Sequence, residues 1–293
     1  MDAGGNAFDA TVAACFTAML AEPVLTSAGG GGFLNAYPAD GKPILFDFFV
    51  NTPSGSVDNI DFIETIVDFG TTKQTFHTGR GSVAVPGAVA GLFHVQQRLG
   101  NIPIRIVMEP VIDLAKNGIH LSGEQVDLLR LLQPIMTYDE IGREMFTNDG
   151  VLISVNDKFR NTKFADFLDL LVHEGTDLFY KGEVAKNILA KLGDGGLICS
   201  ADLSKYEVVE RKPLKTPFRD YLIFGNPPPA LSGILMDVTF SLLESSANNK
   251  FIPISLLVKA LEITDIVRGE RLRELPTERT EKLTQSEFFK DYL

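Results

Sequence analysis

The sequence predicts a mixed α/β (α+β) protein, and three observations predict it. Stretches with a helical apolar period close on glycines at Gly100, Gly118, Gly175 and Gly193. Short β-rich runs come in pairs, one before residue 50 and one after residue 205. Between them the middle of the chain is mostly helical in pattern, with no tandem repeat, low-complexity stretch or linker.

The chain opens on Gly4-Gly5-Asn6, where Asn6 is suited to cap a helix running from Ala7 to Leu20. That helix carries small apolar residues on nearly every side, which predicts burial all round. Globular proteins seldom begin with their most buried helix, so residues are expected in front of it. Gly29 to Gly32 permit close backbone approach and lead into two strands, Phe33–Tyr37 and Lys42–Phe49, with Asp40-Gly41 as the hairpin turn. Residues 50 to 80 are polar and without a firm period, and read as a loop or short excursion. Gly79 to Gly87 reads as a short strand entering a turn. Helices follow over Ala88–Leu99 and Ile104–Asn117, the second with a kink or break expected near Glu109 because of Pro110. Val126, Leu129 and Leu132 form a stripe within residues 123–132; Phe164, Phe167, Leu168 and Leu171 form another within Thr162–Glu174. Glu183–Leu192 repeats the pattern. Tyr206–Arg211 and Arg219–Phe224 read as a second strand pair around a connection holding Pro213 and Pro217. Ser232 is placed to cap a helix over Gly233–Glu244, and a last helix spans residues 254–268. The charged tail from Arg271 to Leu293 has no core-making pattern.

Composition narrows the function. The 293 residues are 45% hydrophobic and 22% charged, values of an ordinary globular chain. The net charge of −11 argues against nucleic acid, whose phosphates are held mainly by Lys and Arg. No run reaches the ~18 apolar residues of a membrane span. Cys15 and Cys199 sit among apolar or small residues and read as free thiols rather than a disulfide. The four histidines share no ligand spacing and there is no CxxC, so no metal site is expected.

Several segments are distinctive together. They are Gly4-Gly5-Asn6-Ala7-Phe8-Asp9-Ala10; Glu22-Pro23 followed by Gly29 to Phe33; Val85-Pro86-Gly87-Ala88-Val89-Ala90-Gly91-Leu92; Asp177 to Glu183; Gly195-Gly196-Leu197-Ile198 with Asp202-Leu203 and Tyr206; and Pro227 to Gly233. In this order, from residue 4 to about residue 270, they resemble the gamma-glutamyltransferase family, also called gamma-glutamyl transpeptidase or glutathione hydrolase. The resemblance implies an N-terminal-nucleophile hydrolase with an αββα sandwich, made jointly by a large and a small subunit. The whole of 1–293 corresponds to the large-subunit region, expected to be truncated at both ends. Such a half-sandwich is expected to expose an apolar sheet face to its companion.

The chemistry implied by that resemblance is attack on a gamma-glutamyl amide by a threonine at the small subunit's N-terminus, with its own α-amine as base. No Thr-Thr-His or Thr-Ser-His occurs here; Thr71-Thr72 is followed by Lys73, and Thr280 and Thr284 lack the context. No catalytic nucleophile is therefore expected in this chain, and the chain alone is expected to be inactive. Either the sequence is an incomplete copy of a longer precursor or the small subunit is encoded separately. No cofactor is implied. Typical members are exported; the lack of a disulfide pattern leans cytoplasmic.

One large-subunit residue stands out by its replacement. The family's DFRExAP-like segment places an arginine on the α-carboxylate of the substrate, a role that suits the guanidinium fork. Here the segment is Asp47-Phe48-Phe49-Val50-Asn51-Thr52-Pro53, and Phe49 stands in the arginine's place. One reading is altered acyl specificity; the other is a strand residue in a non-functional relic or a stabilising partner of another subunit. Arg80 is a substitute cation or a solvated loop arginine. Asp47 pairs within the sheet or lines the pocket. The expected partners are the small subunit and a small gamma-glutamyl or related amide.

Overall fold

The computed structural model describes residues 1–39, 41–246 and 251–270. In chain order the elements are α1 (Ala7–Ala21), β1 (Gly32–Ala36), β2 (Ile44–Phe48), β3 (Ile63–Asp68), β4 (Lys73–Thr78), α2 (Ala88–Leu99), α3 (Ile104–Asn117) and β5 (Ile119–His120). The middle holds α4 (Gly123–Leu131), α5 (Gln133–Met136), α6 (Glu140–Phe146), β6 (Thr147–Asn148), β7 (Val151–Leu152) and β8 (Lys158–Phe159). Then come α7 (Thr162–Glu174), α8 (Asp177–Tyr180), α9 (Glu183–Leu192), α10 (Ser200–Ser204), β9 (Val209–Arg211), β10 (Leu214–Phe218), β11 (Tyr221–Gly225), α11 (Leu231–Ser246) and α12 (Ile254–Glu270).

The chain divides into two compact units, one of Met1–Gly32 with Phe48–Val208, the other of Phe33–Asp47 with residues from Val209 onward. Each is assembled from separated segments, which is why no linker shows in the sequence. In the first unit α1 packs on α2 and α3, α3 on α7, α7 on α8 and α8 on α9. Val12, Phe16 and Leu20 of α1 are buried there, and Phe16 meets Phe93 edge-on with ring centroids 6.2 Å apart.

The start of α1 is held by a reciprocal capping box. The Asn6 Oδ1 accepts from the N–H groups of Phe8 (2.9 Å) and Asp9 (3.1 Å), while Asp9 Oδ2 accepts from the Asn6 N–H at 2.9 Å. The same side chains reach across the fold. Asp9 Oδ2 also accepts from the Asn101 N–H (2.8 Å), and Asn6 Nδ2 donates to the Leu99 carbonyl at 2.7 Å. The Gly-Gly-Asn-Ala-Phe-Asp segment therefore stitches the first helix to the turn between α2 and α3.

In the second unit β2 lies between β1 and β9, and runs antiparallel to β9 with Asp47 opposite Val209. β10 and β11 pair antiparallel from Leu214↔Gly225 to Phe218↔Tyr221. α11 packs on that pair and α12 packs on α11, burying Val238, Leu242, Leu243, Ala260 and Val267 between them. Asp237 of α11 is buried with Thr216 of β10, whose hydroxyl donates to its carboxylate. Burial holds that carboxyl above the usual carboxylate range, against the lowering effect of the Thr216 bond.

Several expectations are corrected. α1 is not buried on every side: the stripe Asp9, Val12, Phe16, Leu20 is buried while Ala7, Thr11 and Ala14 are exposed. Residues 50–80 are no mere loop but carry the β3–β4 hairpin, paired from Ile63↔Thr78 to Asp68↔Lys73. The expected strand after Gly79 is a 3₁₀ turn at Arg80–Ser82, followed by a single bridge between Val85 and Asn51. α3 runs unbroken through Pro110, which lies on the exposed face where water can take the carbonyl left without an N–H partner. Tyr206–Arg211 does not pair with Arg219–Phe224. β9 joins β2 instead, and the connection that was to separate them is itself β10, with Pro217 opposite Leu222. α11 begins at Leu231, so Ser232 sits in its first turn rather than capping it. Asp40 of the expected turn, Thr280, Thr284 and the tail from Arg271 lie outside the described residues.

Candidate functional site

Position 49 lies where several of the distinctive segments of the first unit come together; the Gly4–Ala10 segment is elsewhere, at the turn between α2 and α3. Phe49 follows β2 directly, and its carbonyl accepts a hydrogen bond from the Tyr206 hydroxyl at 2.7 Å. The Tyr206 ring stacks on Tyr180, centroids 5.5 Å apart and 15° from parallel. Tyr180 in turn donates its hydroxyl to the Pro86 carbonyl (3.0 Å) and accepts from the Ala90 N–H (3.2 Å). Burial pushes the Tyr180 phenol far above its ordinary value, the Ala90 bond opposing and the neighbouring Tyr206 adding to the rise. The hydroxyl therefore stays a donor throughout the physiological range.

Glycines make this convergence possible by close approach. The N–H groups of Gly87 and Ala88 both donate to the Gly30 carbonyl at 2.9 Å, tying the Val-Pro-Gly turn to the glycine run. A Cβ on Gly87 would sit 2.1 Å from both the Phe48 carbonyl oxygen and the Tyr206 hydroxyl; one on Gly91 would sit 2.0 Å from Phe48 Cγ. A Cβ on Gly31 would lie 2.7 Å from the Phe48 oxygen and the Val50 nitrogen. No side chain fits at Gly31 or Gly87 without displacing the main chain beside Phe49, and none fits at Gly91 without displacing the Phe48 ring. The bridge of Asn51 to Val85, with N–H to carbonyl distances of 3.1 and 2.9 Å, fixes the strand's far side. The main chain around residue 49 is thus held by three segments, the glycine run, the Val85–Gly91 stretch and Tyr206, while the Phe49 side chain stays 52% exposed.

The other two candidates occupy different places. Asp47 belongs to the second unit, where its Oδ2 accepts from Arg211 Nε of β9 at 2.8 Å and both side chains are largely covered. Arg80 belongs to the first unit, in the 3₁₀ turn, where its Nε donates to Asp61 Oδ2 at 2.8 Å. The Arg80 side-chain bond, with a further one from its main chain, holds the Asp61 carboxyl below its usual range. Arg80 lines an open pocket with Ser56, Val57, Asp58, Asn59, Asp194 and Gly195; Phe49 is not part of that lining.

Sequence reasoning missed Asp61, since nothing in a polar segment marks it as Arg80's partner. It also missed a knot around Asp202. That carboxylate accepts from the Cys199 N–H (2.8 Å), the Ser54 N–H (3.2 Å) and the Ser54 hydroxyl (2.6 Å). Burial opposes its ionisation, but these donors outweigh it and hold the carboxyl below the ordinary range. Its place in the Asp202-Leu203…Tyr206 segment was the available signal. Both cysteines are free thiols, as expected. Among the described residues no group of His, Cys, Asp and Glu is placed to hold a metal ion, and no helix is long and apolar enough to cross a membrane.

Comparison with known proteins accords with this geometry. Residues 1–291 match the family model described as gamma-glutamyltranspeptidase. The chain is similar to the glutathione hydrolase proenzyme of Pseudomonas sp. (strain A14), 31% identical over 246 residues, covering 83% of this chain and 42% of that protein. It is similar to the acylase ACY 1 proenzyme of Pseudomonas sp. (strain V22), 30% identical over 248 residues, covering 83% and 44%. Among solved structures it resembles the gamma-glutamyltranspeptidase of Helicobacter pylori, with a TM-score of 0.84 at 25% identity, covering 99% of this chain and 85% of that one. The expected fold class is borne out. The chain spans less than half the length of these two curated relatives.

Proposed function

This chain belongs to the gamma-glutamyltranspeptidase family, and from that premise we propose that residues 1–293 are the large-subunit portion of a gamma-glutamyltransferase-like amidohydrolase or acyltransferase. The nucleophile is a threonine at the N-terminus of a small subunit. Its hydroxyl oxygen bonds to the acyl carbon of an amide as its own α-amine takes the proton; the C–N bond then breaks and the leaving amine receives that proton. Water or a second amine releases the acyl group from the ester, giving hydrolysis or transfer.

In this reading the part supplied here is the wall that recognises the acyl group. The observation that carries it is the rigid seat around residue 49, with a phenyl ring presented where the family pattern has a guanidinium. A ring cannot hold a carboxylate, so the preferred acyl group lacks the α-carboxylate of gamma-glutamate or binds it elsewhere. The acylase among the relatives, by its name, is consistent with that direction. The ion pairs of Asp47 and Arg80 favour frame-building roles for both, which leaves Phe49 as the proposed determinant.

The test uses the assembled two-subunit enzyme. Phe49→Arg is expected to raise kcat/KM for a gamma-glutamyl anilide relative to a 4-aminobutyryl anilide, which keeps the amine but lacks the carboxylate, through a bidentate carboxylate contact of about 1.5–3 kcal/mol, or roughly ten- to a hundred-fold. An unchanged ratio refutes the specificity reading. The purified chain alone is expected to release no anilide; turnover above background refutes its dependence on a small subunit.

A further inference from the structure

The segment that begins at Phe49 is gripped at both of its ends by one stretch of chain. Tyr206 holds the Phe49 carbonyl at 2.7 Å. At Ser54, Asp202 accepts from the side-chain hydroxyl at 2.6 Å and from the N–H at 3.2 Å. The next N–H, that of Gly55, donates to the Leu197 carbonyl at 3.1 Å, and a Cβ on Gly55 would stand 2.1 Å from that oxygen. Leu197, Asp202 and Tyr206 all flank or belong to α10. That stretch is anchored in the core of the first unit. Leu203 is wholly buried with Val85 and Ile198, and Tyr206 packs against the same cluster.

Helix capping alone does not account for these bonds. α10 needs Asp202 only as acceptor for the Cys199 N–H, which it receives at 2.8 Å. The bonds to Ser54 do nothing for the helix; they fix the segment opposite. Between its two ends that segment is stiff. Asn51 bridges Val85 near the middle, while Pro53 fixes its own φ and biases Thr52 to extended backbone. A displacement at Ser54 is therefore passed along the segment to residue 49 instead of being absorbed in a bend. We infer that Asp202 and Tyr206 are positioning residues for acyl selection: they clamp the Phe49–Ser54 segment at both ends and set where the side chain of residue 49 stands. This rests on the function proposed above and deepens it, assigning selectivity to two residues that act through a third.

The test uses the assembled two-subunit enzyme and one ratio, kcat/KM for a gamma-glutamyl anilide over that for a 4-aminobutyryl anilide. The gain in this ratio from Phe49→Arg is measured alone and again in combination with Ser54→Ala or Tyr206→Phe. Ser54→Ala removes the hydroxyl held by Asp202 but leaves the cap of α10 in place. Tyr206→Phe keeps a ring against Tyr180 but gives up the grip on the Phe49 carbonyl. A bidentate fork tolerates little misplacement, so each change is expected to cut the gain at least roughly threefold. Ser54→Thr, which keeps the hydroxyl, is expected to preserve it. A merely structural defect lowers turnover of both anilides alike and leaves the ratio where it was. The Ser54 side chain is exposed, so Ser54→Ala decides the matter even where Tyr206→Phe weakens folding. A smaller fall in the gain than this, in Ser54→Ala or in a folded Tyr206→Phe, overturns the clamp and leaves the reading of position 49 standing. If Phe49→Arg brings no gain with Ser54 and Tyr206 intact, the role of residue 49 falls and the clamp falls with it.

Discussion

Replacing Asp9 by alanine is expected to loosen the first unit as much as truncating one of the buried apolar residues of its first helix. The Asp9 side chain is 3% exposed, and Oδ2 receives the N–H groups of Asn6 and Asn101 at 2.9 and 2.8 Å. Gln96 Nε2 lies 3.4 Å from Oδ1, too long to contribute much. Two hydrogen bonds to a charged acceptor, each worth about 1.5–3 kcal/mol, give a loss of roughly 3–6 kcal/mol when both are removed. Asp9→Asn keeps an acceptor oxygen but loses its charge, and should fall between wild type and Asp9→Ala. The chain has no tryptophan, so urea unfolding is followed by circular dichroism, with hydrogen exchange reporting α1 separately from the second unit. For a unit of this size the thermal midpoint should drop by at least roughly 6 °C. Should Asp9→Ala unfold within about 1 kcal/mol of wild type, the assignment of this segment to a structural stitch is wrong.

Two further outcomes follow from other contacts. Gly91→Ala brings a Cβ within 2.0 Å of Phe48 Cγ and is expected to cost about 1–3 kcal/mol or more, with Phe48→Leu in the same chain recovering part of it; no recovery in urea titrations refutes the overlap. Asp237→Asn tests the buried carboxyl. A group whose folded pKa is raised contributes stability fully below its unfolded pKa of about 3.9, and loses it as pH rises through the folded value. The variant should therefore melt above wild type at pH 7, and the gap should close towards pH 4. A gap independent of pH contradicts the assignment.

The helices were the most legible part of the sequence because their signals are local. Gly118, Gly175 and Gly193 take φ of 78°, 72° and 49°, a region that favours glycine, so the sequence marked where those helices stop. The strands were legible only where turn residues or apolar alternation bounded them. The β3–β4 hairpin went unseen because Ile66 sits on the face of Glu64 and Asp68 while Thr65 sits on that of Val67, the one buried β3 residue, so the alternation is blurred. β10 was hidden by Pro217, which reads as a breaker yet sits in a two-stranded pair. β9 chose β2 over its sequence neighbour, a tertiary decision with no local trace. The distinctive segments pointed to the right region, but not to their division of labour. Asn6 and Asp9 turn out to stitch helices, and Tyr206, unremarked beyond its place in a pattern, reaches residue 49.

That reach has a consequence for how such a protein changes over time. Tyr206 grips an oxygen that every amino acid carries, and none of the atoms nearest Gly31, Gly87 and Gly91 belongs to the side chain of residue 49. Swapping the forty-ninth residue therefore leaves the mooring intact. A lineage can therefore change the side chain carried at residue 49 without having to rebuild the frame that holds its main chain.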